Sequence, residues 1–395
     1  MNVSLKVVDS VVKKMFGLYI HIPFCAKICD YCDFHVMPAF PKLYQEYTDL
    51  LCREVEFFDA AHPGLLKTAQ TLYLGGGTPS ILPLDCLSQI FGCLRSLGVD
   101  VDSLKEVSME FNPESTRKHT VEKALELGVR RFSLGLQTFD GNLLTTIGRS
   151  HSVEAGIQAL DLLTSSGAQV SGDLMFNLPG QTVRSFLNDV DRLSDFNLNH
   201  ISFYGLTVSP RSMLGQKVSK GLLNIDEDLY EEMYLNGVEL LGRKGFERYE
   251  VSNFARPGYE SVHNRNYWSR GEYAGFGPGA HSFWGNTRFY APEMYPRWRD
   301  FVREGAPESR LTTDKLNDED VLMELLWLSL RQSSGLDLQG LSSFGVRLPP
   351  SSYEKWLKKG FVSMENHDRL KLCGRGWIFM DEIVTDLANS YSELE

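Results

Sequence analysis

Basic charge is in short supply: 40 Lys and Arg face 51 Asp and Glu, a formal net charge of -11. A surface of that sign is soluble and repels phosphate backbones, which removes free nucleic acid from the expected partners. Long apolar runs are missing as well; none reaches the roughly 20 residues that a helix needs to cross a bilayer. The opening stretch MNVSLKVVDSVVKKMF contains neither the apolar core nor the small-residue cleavage site of a signal peptide. Met15 stands directly before the first clear strand and is a second candidate for the natural start. No low-complexity segment and no internal sequence repeat is found. Cysteine is scarce. Cys25, Cys29, Cys32, Cys52, Cys86, Cys93 and Cys373 make an odd total of seven, and three of them fall within eight residues. That pattern excludes a secreted disulfide framework and fits a reducing cytoplasm with a metal or redox site.

What is present is ordinary globular composition, with 43% hydrophobic residues in 395, enough for one large domain and a smaller one. Short apolar strands alternate with longer amphipathic stretches. The strands are expected at Phe16–Ile22, Thr71–Leu74, Glu106–Phe111, Arg131–Leu136, Gln169–Met175 and His200–Thr207. Several are dense in apolar residues, as parallel strands buried on both faces should be. Helices are expected near 42–58, 84–97, 120–127, 153–165 and 183–193. In the first of these, Leu43, Tyr47, Leu50, Leu51, Val55 and Phe58 share a face. Six β/α units in a row predict a parallel sheet with right-handed crossovers, curved into a partial (β/α)6 barrel.

The pattern changes after about residue 285. Asn317–Arg331 reads as a helix with Asn317 as N-cap and acids in its first turn. Ser351–Lys359 reads as another, and Phe361–Glu365 with Arg369–Cys373 as a hairpin around Asn366-His367-Asp368. The expected division is an extension over 1–15, a barrel with its motif-bearing extension over 16–285, and a small α+β, winged-helix-like domain over 290–395. That last segment has 13 Lys and Arg against 18 Asp and Glu, the wrong balance for a DNA-binding winged helix.

Cys25-Ala-Lys-Ile-Cys29-Asp-Tyr-Cys32 follows directly on the first strand. Three thiolates on one loop can hold three irons of a cubane, leaving the fourth with an open position. The competitor is structural zinc, with His21 or His35 as fourth ligand.

This spacing, after the first strand of a β/α series, resembles the radical S-adenosylmethionine (SAM) superfamily. The wider wording Tyr19-Ile-His21-Ile-Pro23-Phe24-Cys25, then Cys29-Asp-Tyr31-Cys32, resembles its HemN-like branch. The resemblance implies a [4Fe-4S] cluster on Cys25, Cys29 and Cys32, with SAM chelating the open iron. It also implies SAM contacts from Tyr19, Tyr31 and the segment Gly75-Gly76-Gly77-Thr78-Pro79, whose glycines let the backbone approach a ligand. Without the resemblance, that segment is a tight strand-to-helix turn. Glu110, Gln137, Arg149 and Asp173 fall near strand ends or in the following loops, where parallel α/β folds place ligands. Each matches a SAM-contacting position of the branch. Carboxylates suit ribose hydroxyls or the amine, and Arg149 suits the SAM carboxylate. On their own, all four read equally well as satisfied buried groups or caps. Asn177 replaces the Gly usual before Leu178-Pro179-Gly180.

Coproporphyrinogen oxidases of this branch carry a fourth cysteine where this chain has Phe34, and a longer N-terminal extension than the 18 residues before Tyr19. Both departures fit instead the HemW family of haem chaperones. His263-Asn264-Arg265-Asn266-Tyr267-Trp268 matches the HNxxYW motif that the family associates with haem. A neutral imidazole is a standard axial ligand, and Tyr267 and Trp268 can pack on a porphyrin. By residue type alone the motif is a structural turn with two core aromatics, and the identity of the iron ligand stays open. His281, in a glycine-rich stretch expected to cover the barrel mouth, is a further candidate for SAM or haem contact.

The implied function is a haem chaperone delivering haem to apo-haemoproteins such as respiratory enzymes. An electron donor, peripheral association with a membrane and a homodimer belong to the same expectation. The alternatives are coproporphyrinogen III dehydrogenase, a two-SAM radical methyltransferase and a zinc-bound interaction module. Whether the chain is an enzyme therefore stays open. Cys52, Cys86, Cys93 and Cys373 read as structural.

Overall fold

The computed structural model describes residues 15–393; the expected N-terminal extension lies outside them but for Met15. Six parallel strands pair in sequence order: β1 (Phe16–Ile22), β2 (Ala69–Gly76), β3 (Glu106–Phe111), β4 (Arg131–Gln137), β5 (Gln169–Phe176) and β6 (His200–Gly205). The connecting helices include α1 (Pro41–Ala61), α2 (Leu84–Ser96), α3 (Lys118–Glu126), α4 (Gly141–Thr146), α5 (Val153–Thr164) and α6 (Val183–Ser194). After β6 come α7 (Met213–Ser219) and α8 (Asp228–Arg243), the latter packed on α6. No helix among the described residues is long and apolar enough to cross a membrane.

The strands are not apolar on both faces. Leu18, Ile20 and Ile22 of β1, Val107 and Met109 of β3, and Phe132, Leu134 and Leu136 of β4 are buried in the core. The alternate positions carry Tyr19 and His21, Ser108 and Glu110, and Arg131 and Ser133. Because side chains alternate across a strand, one face packs apolar groups while the concave face is polar. The barrel interior is a place for a ligand rather than a packed core.

The sheet continues beyond the six strands. On one edge β6 pairs antiparallel with β8 (Asn253–Ala255), which pairs with β7 (Glu247–Arg248). On the other edge β1 pairs parallel with β9 (Glu272–Phe276), followed by antiparallel β10 (His281–Trp284), β11 (Thr287–Tyr290) and β12 (Thr312–Lys315). The glycine-rich stretch around Gly275 is thus a strand and a turn, and the turn packs against His21 and His35. A Cβ on Gly275 would lie 2.1 Å from the carbonyl oxygen of His281, so only glycine fits there. The change of pattern near 285 marks the switch from parallel to antiparallel pairing within one sheet.

Between β8 and β9 lies α9 (Val262–Trp268), and α10 (Tyr295–Arg303) packs on α1. The rest of the chain forms α11 (Asp318–Leu330), α12 (Leu338–Ser343), α13 (Ser351–Lys358), a hairpin and α14 (Met380–Ala388). In that hairpin β14 (Val362–Glu365) pairs with β15 (Arg369–Leu372), which also pairs with β13 (Leu336–Asp337). Asn317 caps α11 in a reciprocal capping box with Asp320, as its sequence suggests. Glu250, wholly buried, accepts both Nε (3.1 Å) and Nη2 (2.7 Å) of Arg331 and so ties the barrel to α11.

Glu54 on α1 is a second buried tie, accepting from Gly277 N (2.8 Å) and Trp298 Nε1 (3.0 Å). Burial pushes its carboxyl up from 4.5 to about 7, against those two hydrogen bonds. The folded-state value lies above the unfolded one. The stability it contributes is therefore complete below about pH 4.5 and is lost as the pH rises through about 7. Glu54→Gln keeps an acceptor and removes the titration. Thermal melts should show a flatter dependence on pH and a gain of about 1–3 kcal/mol near pH 8. Parallel melting curves for the two proteins across this range would contradict the assignment.

Candidate cofactor-binding site

The Cys25–Cys32 loop is shaped before any ligand arrives. Phe24–Cys25 and Met37–Pro38 pair as a two-residue parallel bridge that closes its base. Cys32 N donates to Cys29 O (3.1 Å), making a tight turn between the last two thiols. Asp30 points away and anchors the loop: its N–H donates to Ile147 O (3.0 Å), and its carboxylate pairs with Lys217 at 2.5 Å. A Cβ on Gly148 would lie 2.4 Å from Asp30 Oδ1, so the turn after α4 needs glycine there.

The three thiols line one chamber of about 490 Å³ on the concave face. Burial pushes Cys25 up to about 12, with Cys32 and Cys29 adding to the shift and Thr78 opposing it. Cys32 is raised by burial too. Cys25 and Cys32 therefore favour the protonated form, and a bound cation would displace their protons to solvent. Thr78 Oγ1 donates to Cys25 Sγ (3.7 Å) and Arg149 Nη1 to Cys29 Sγ (3.4 Å).

Tyr31, Gly76, Gly77, Glu110, Gln137, Arg149 and Asp173 line the same chamber. Glu110 accepts from Tyr73 Oη (2.7 Å) and Gly76 N (3.1 Å). Burial raises its carboxyl from 4.5 to about 7, with the Tyr73 bond opposing and Asp173 adding. Asp173 is raised by burial against bonds from Ser202, Ser133 and Ser171. Arg149 donates through Nη2 to Gly135 O (2.5 Å) and Asn112 Oδ1 (2.9 Å), yet its buried Nε has no partner among the described residues. An orphaned guanidinium donor in a polar chamber is what a ligand carboxylate would satisfy. Gln137 sits at φ 71 and Asn177 at φ 61. Left-handed backbone explains the Asn at 177, since Asn is among the residues that best tolerate a conformation glycine prefers. At Gln137 it is strain beside a site, as ligand-holding residues often store.

Thr78, expected to contact SAM, is buried outside the chamber lining and addresses Cys25 instead. Tyr19 also faces elsewhere. It borders a second chamber of about 440 Å³, together with Tyr267, Trp268 and His281, and reaches the first through a stack on Tyr73 (6.2 Å). His263 borders neither chamber. Side chains that the sequence reading passed over complete the first: Ser108, Arg131, Ser133, Ser171, His200 and Ser202.

Glu106 seats α9 against the barrel. It accepts from Ser261 Oγ (3.0 Å) and Val262 N (2.7 Å) at the helix start, where its negative charge is favoured. Glu106→Ala leaves buried donors unpaired and should cost about 2–4 kcal/mol in urea denaturation. Iron binding to the three thiols should persist in that variant. An unchanged denaturation midpoint would contradict this role.

Among the described residues no three His, Cys, Asp or Glu side chains converge closely enough to hold a single metal ion. Zinc needs ligands within about 2.0–2.3 Å of one point, so the zinc alternative has no ligand set. His21, its suggested fourth ligand, has Nδ1 3.0 Å from Tyr19 Oη and Nε2 2.9 Å from His35 O. A cubane asks less, because each thiol meets a different corner. Three thiols around one chamber, with an unpaired arginine donor beside them, fit a cluster and a carboxylate-bearing ligand.

A partial barrel with this loop after its first strand is the architecture of a radical SAM protein. The Radical SAM superfamily model matches residues 19–193. The chain is 33% identical to the heme chaperone HemW of Bacillus subtilis (strain 168), covering 88% of this chain and 93% of that one. It is 34% identical to the heme chaperone HemW of Mycobacterium tuberculosis (strain CDC 1551 / Oshkosh), covering 94% of each. The chain belongs to the HemW family of the radical SAM superfamily, whose membership implies a [4Fe-4S] cluster and SAM. Among solved structures, coproporphyrinogen III oxidase (HemN) from Escherichia coli superposes with a TM-score of 0.80 at 20% identity, over 95% of this chain and 90% of that one. That likeness concerns the fold.

Proposed function

We propose that this protein is a haem chaperone, which binds haem and delivers it to apo-haemoproteins such as respiratory enzymes. The observation that carries the reading is the position of α9. Its Asn264 lines the thiol chamber, while its Tyr267 and Trp268 line the neighbouring one. The motif thus stands between a cofactor site and a space of ligand size. Phe34, 67% exposed, stands where a fourth cysteine would mark the oxidases.

In this reading Cys25, Cys29 and Cys32 ligate the cluster. It would offer an open iron to SAM and an electron when reduced by a donor protein. Thr78 and Arg149 orient two of the thiols. Arg149 takes the SAM carboxylate, Gly76 and Gly77 present backbone to its amine, and Glu110, Asp173 and Gln137 address the ribose and amine. Tyr31 walls the chamber, and Tyr19 supports Tyr73 from behind. A cytoplasmic location, peripheral docking at a membrane and a homodimer are part of the same proposal. The test is haem transfer: the anaerobically reconstituted, haem-loaded chain is mixed with an apo-haemoprotein and the recipient's Soret band is followed. Haem should move to the recipient. Absence of stoichiometric haem binding, or decarboxylation of coproporphyrinogen III with SAM consumption, would sink the reading.

A further inference from the structure

The histidine of the motif, one candidate for the iron ligand, is already engaged. His263 is 1% exposed, with Nδ1 2.8 Å from Thr71 Oγ1 and Nε2 2.7 Å from Tyr267 Oη. Its ring stacks on Tyr73 at 5.2 Å, and a Cβ on Gly17 would lie 3.3 Å from it. Neither nitrogen can meet a metal without breaking a buried hydrogen bond and moving a packed ring. His263 is instead the partition: Tyr73 on one side borders the thiol chamber, and Tyr267 on the other borders the second chamber.

The second chamber has the opposite character. Its volume of about 440 Å³ lies within the range usual for ligand cavities, about 300–1,000 Å³. Tyr267, Trp268 and Phe283 provide flat apolar surface. Arg270 and Arg288 share the single carboxylate of Glu324, which leaves one net positive charge on the wall. His281 enters from β10. It is exposed, so its ring nitrogens are open to solvent and to a ligand entering this chamber. Its ring is held edge-on against Tyr290 at 4.5 Å. The other histidine of this chamber, His21, has both nitrogens bonded. A flat, anionic, iron-bearing ligand is what aromatic walls, a cationic rim and one exposed imidazole would recognise.

We propose that the second chamber is the seat of the haem cargo and that His281, not His263, is its axial ligand. The inference rests on the chaperone reading and adds the place and the ligand. Haem then lies beyond the Tyr73–His263 wall from the cluster, and His263 serves as a positioning residue that sets Tyr267.

The test uses the full chain, reconstituted anaerobically with iron and sulfide and titrated with haemin. The readouts are Soret absorption and low-temperature EPR. Wild type should saturate at one haemin per chain. His281→Ala should raise the dissociation constant at least about tenfold and shift the Soret band, while cluster absorption stays as in wild type. Added imidazole should restore the band, and His281→Met should change the EPR ligand signature. His263→Gln should keep the wild-type ligand signature. If that variant fails to fold, as judged by circular dichroism, His281→Ala with imidazole rescue decides alone. Haemin binding with an unaltered band in His281→Ala overturns this assignment and leaves the chaperone reading standing. No haemin binding by wild type overturns both.

Discussion

Replacing any one of Cys25, Cys29 or Cys32 by Ser should abolish the cubane. Wild type reconstituted anaerobically should hold about four irons per chain, and each variant close to none. The effect is large because each thiol would hold its own corner of the cubane, and among the described residues no group of three His, Cys, Asp or Glu stands ready to replace one. The fold should not suffer. The loop is held by backbone bonds to Ile147, Pro23 and Cys25 and by the Asp30–Lys217 pair, not by the thiols. Serine variants should therefore melt with the unreconstituted wild type. Iron retention by a single variant would remove that cysteine from the ligand set.

The second large effect is expected at Arg149. Its Nη2 is committed to Gly135 O and Asn112 Oδ1, and its Nη1 touches Cys29 Sγ, which leaves buried Nε for a ligand. Arg149→Lys keeps the charge and loses the planar fork. A charge-assisted hydrogen bond contributes about 1.5–3 kcal/mol, so SAM affinity should fall about 10- to 100-fold. Iron content should stay that of wild type. Equilibrium binding of SAM to the reconstituted proteins measures this, and equal affinity would place the SAM carboxylate elsewhere.

Much of the barrel was legible. The ends of β1 and β3 match the sequence reading, and those of β4 and β5 differ from it by a residue. Strong apolar strands bounded by glycine and polar turns are local signals. The polar concave face was present in the sequence too, as alternation: Ser108 and Glu110, Arg131 and Ser133, Ser171 and Asp173, His200 and Ser202. It was masked because the neighbouring Val107, Met109, Phe132, Val170 and Ile201 made the same strands look uniformly apolar. Reading period two through those apolar positions would have found these lining residues.

The second chamber was not legible, because its walls set Tyr19 beside Tyr267 and His281, more than two hundred residues later, a juxtaposition made by the pairing of β1 with β9. Glu106 and Glu54 were missed for the same reason. Each stands among other charged residues in sequence, Glu56 near Glu54 and Lys105 beside Glu106, and its partner, Gly277 or Val262, lies more than a hundred residues away. One signal at the motif was available. His263 and Tyr267 stand four residues apart, so on a helix they share a face and can bond. That spacing already argued against a free imidazole at 263.

The decisive measurement is EPR of the anaerobically reconstituted, dithionite-reduced chain before and after addition of SAM. The expected result is a [4Fe-4S]⁺ signal whose g-values move when SAM is added, because SAM occupies the iron that no cysteine holds. A signal indifferent to SAM, or a chain that takes up no iron, would contradict the account at its root.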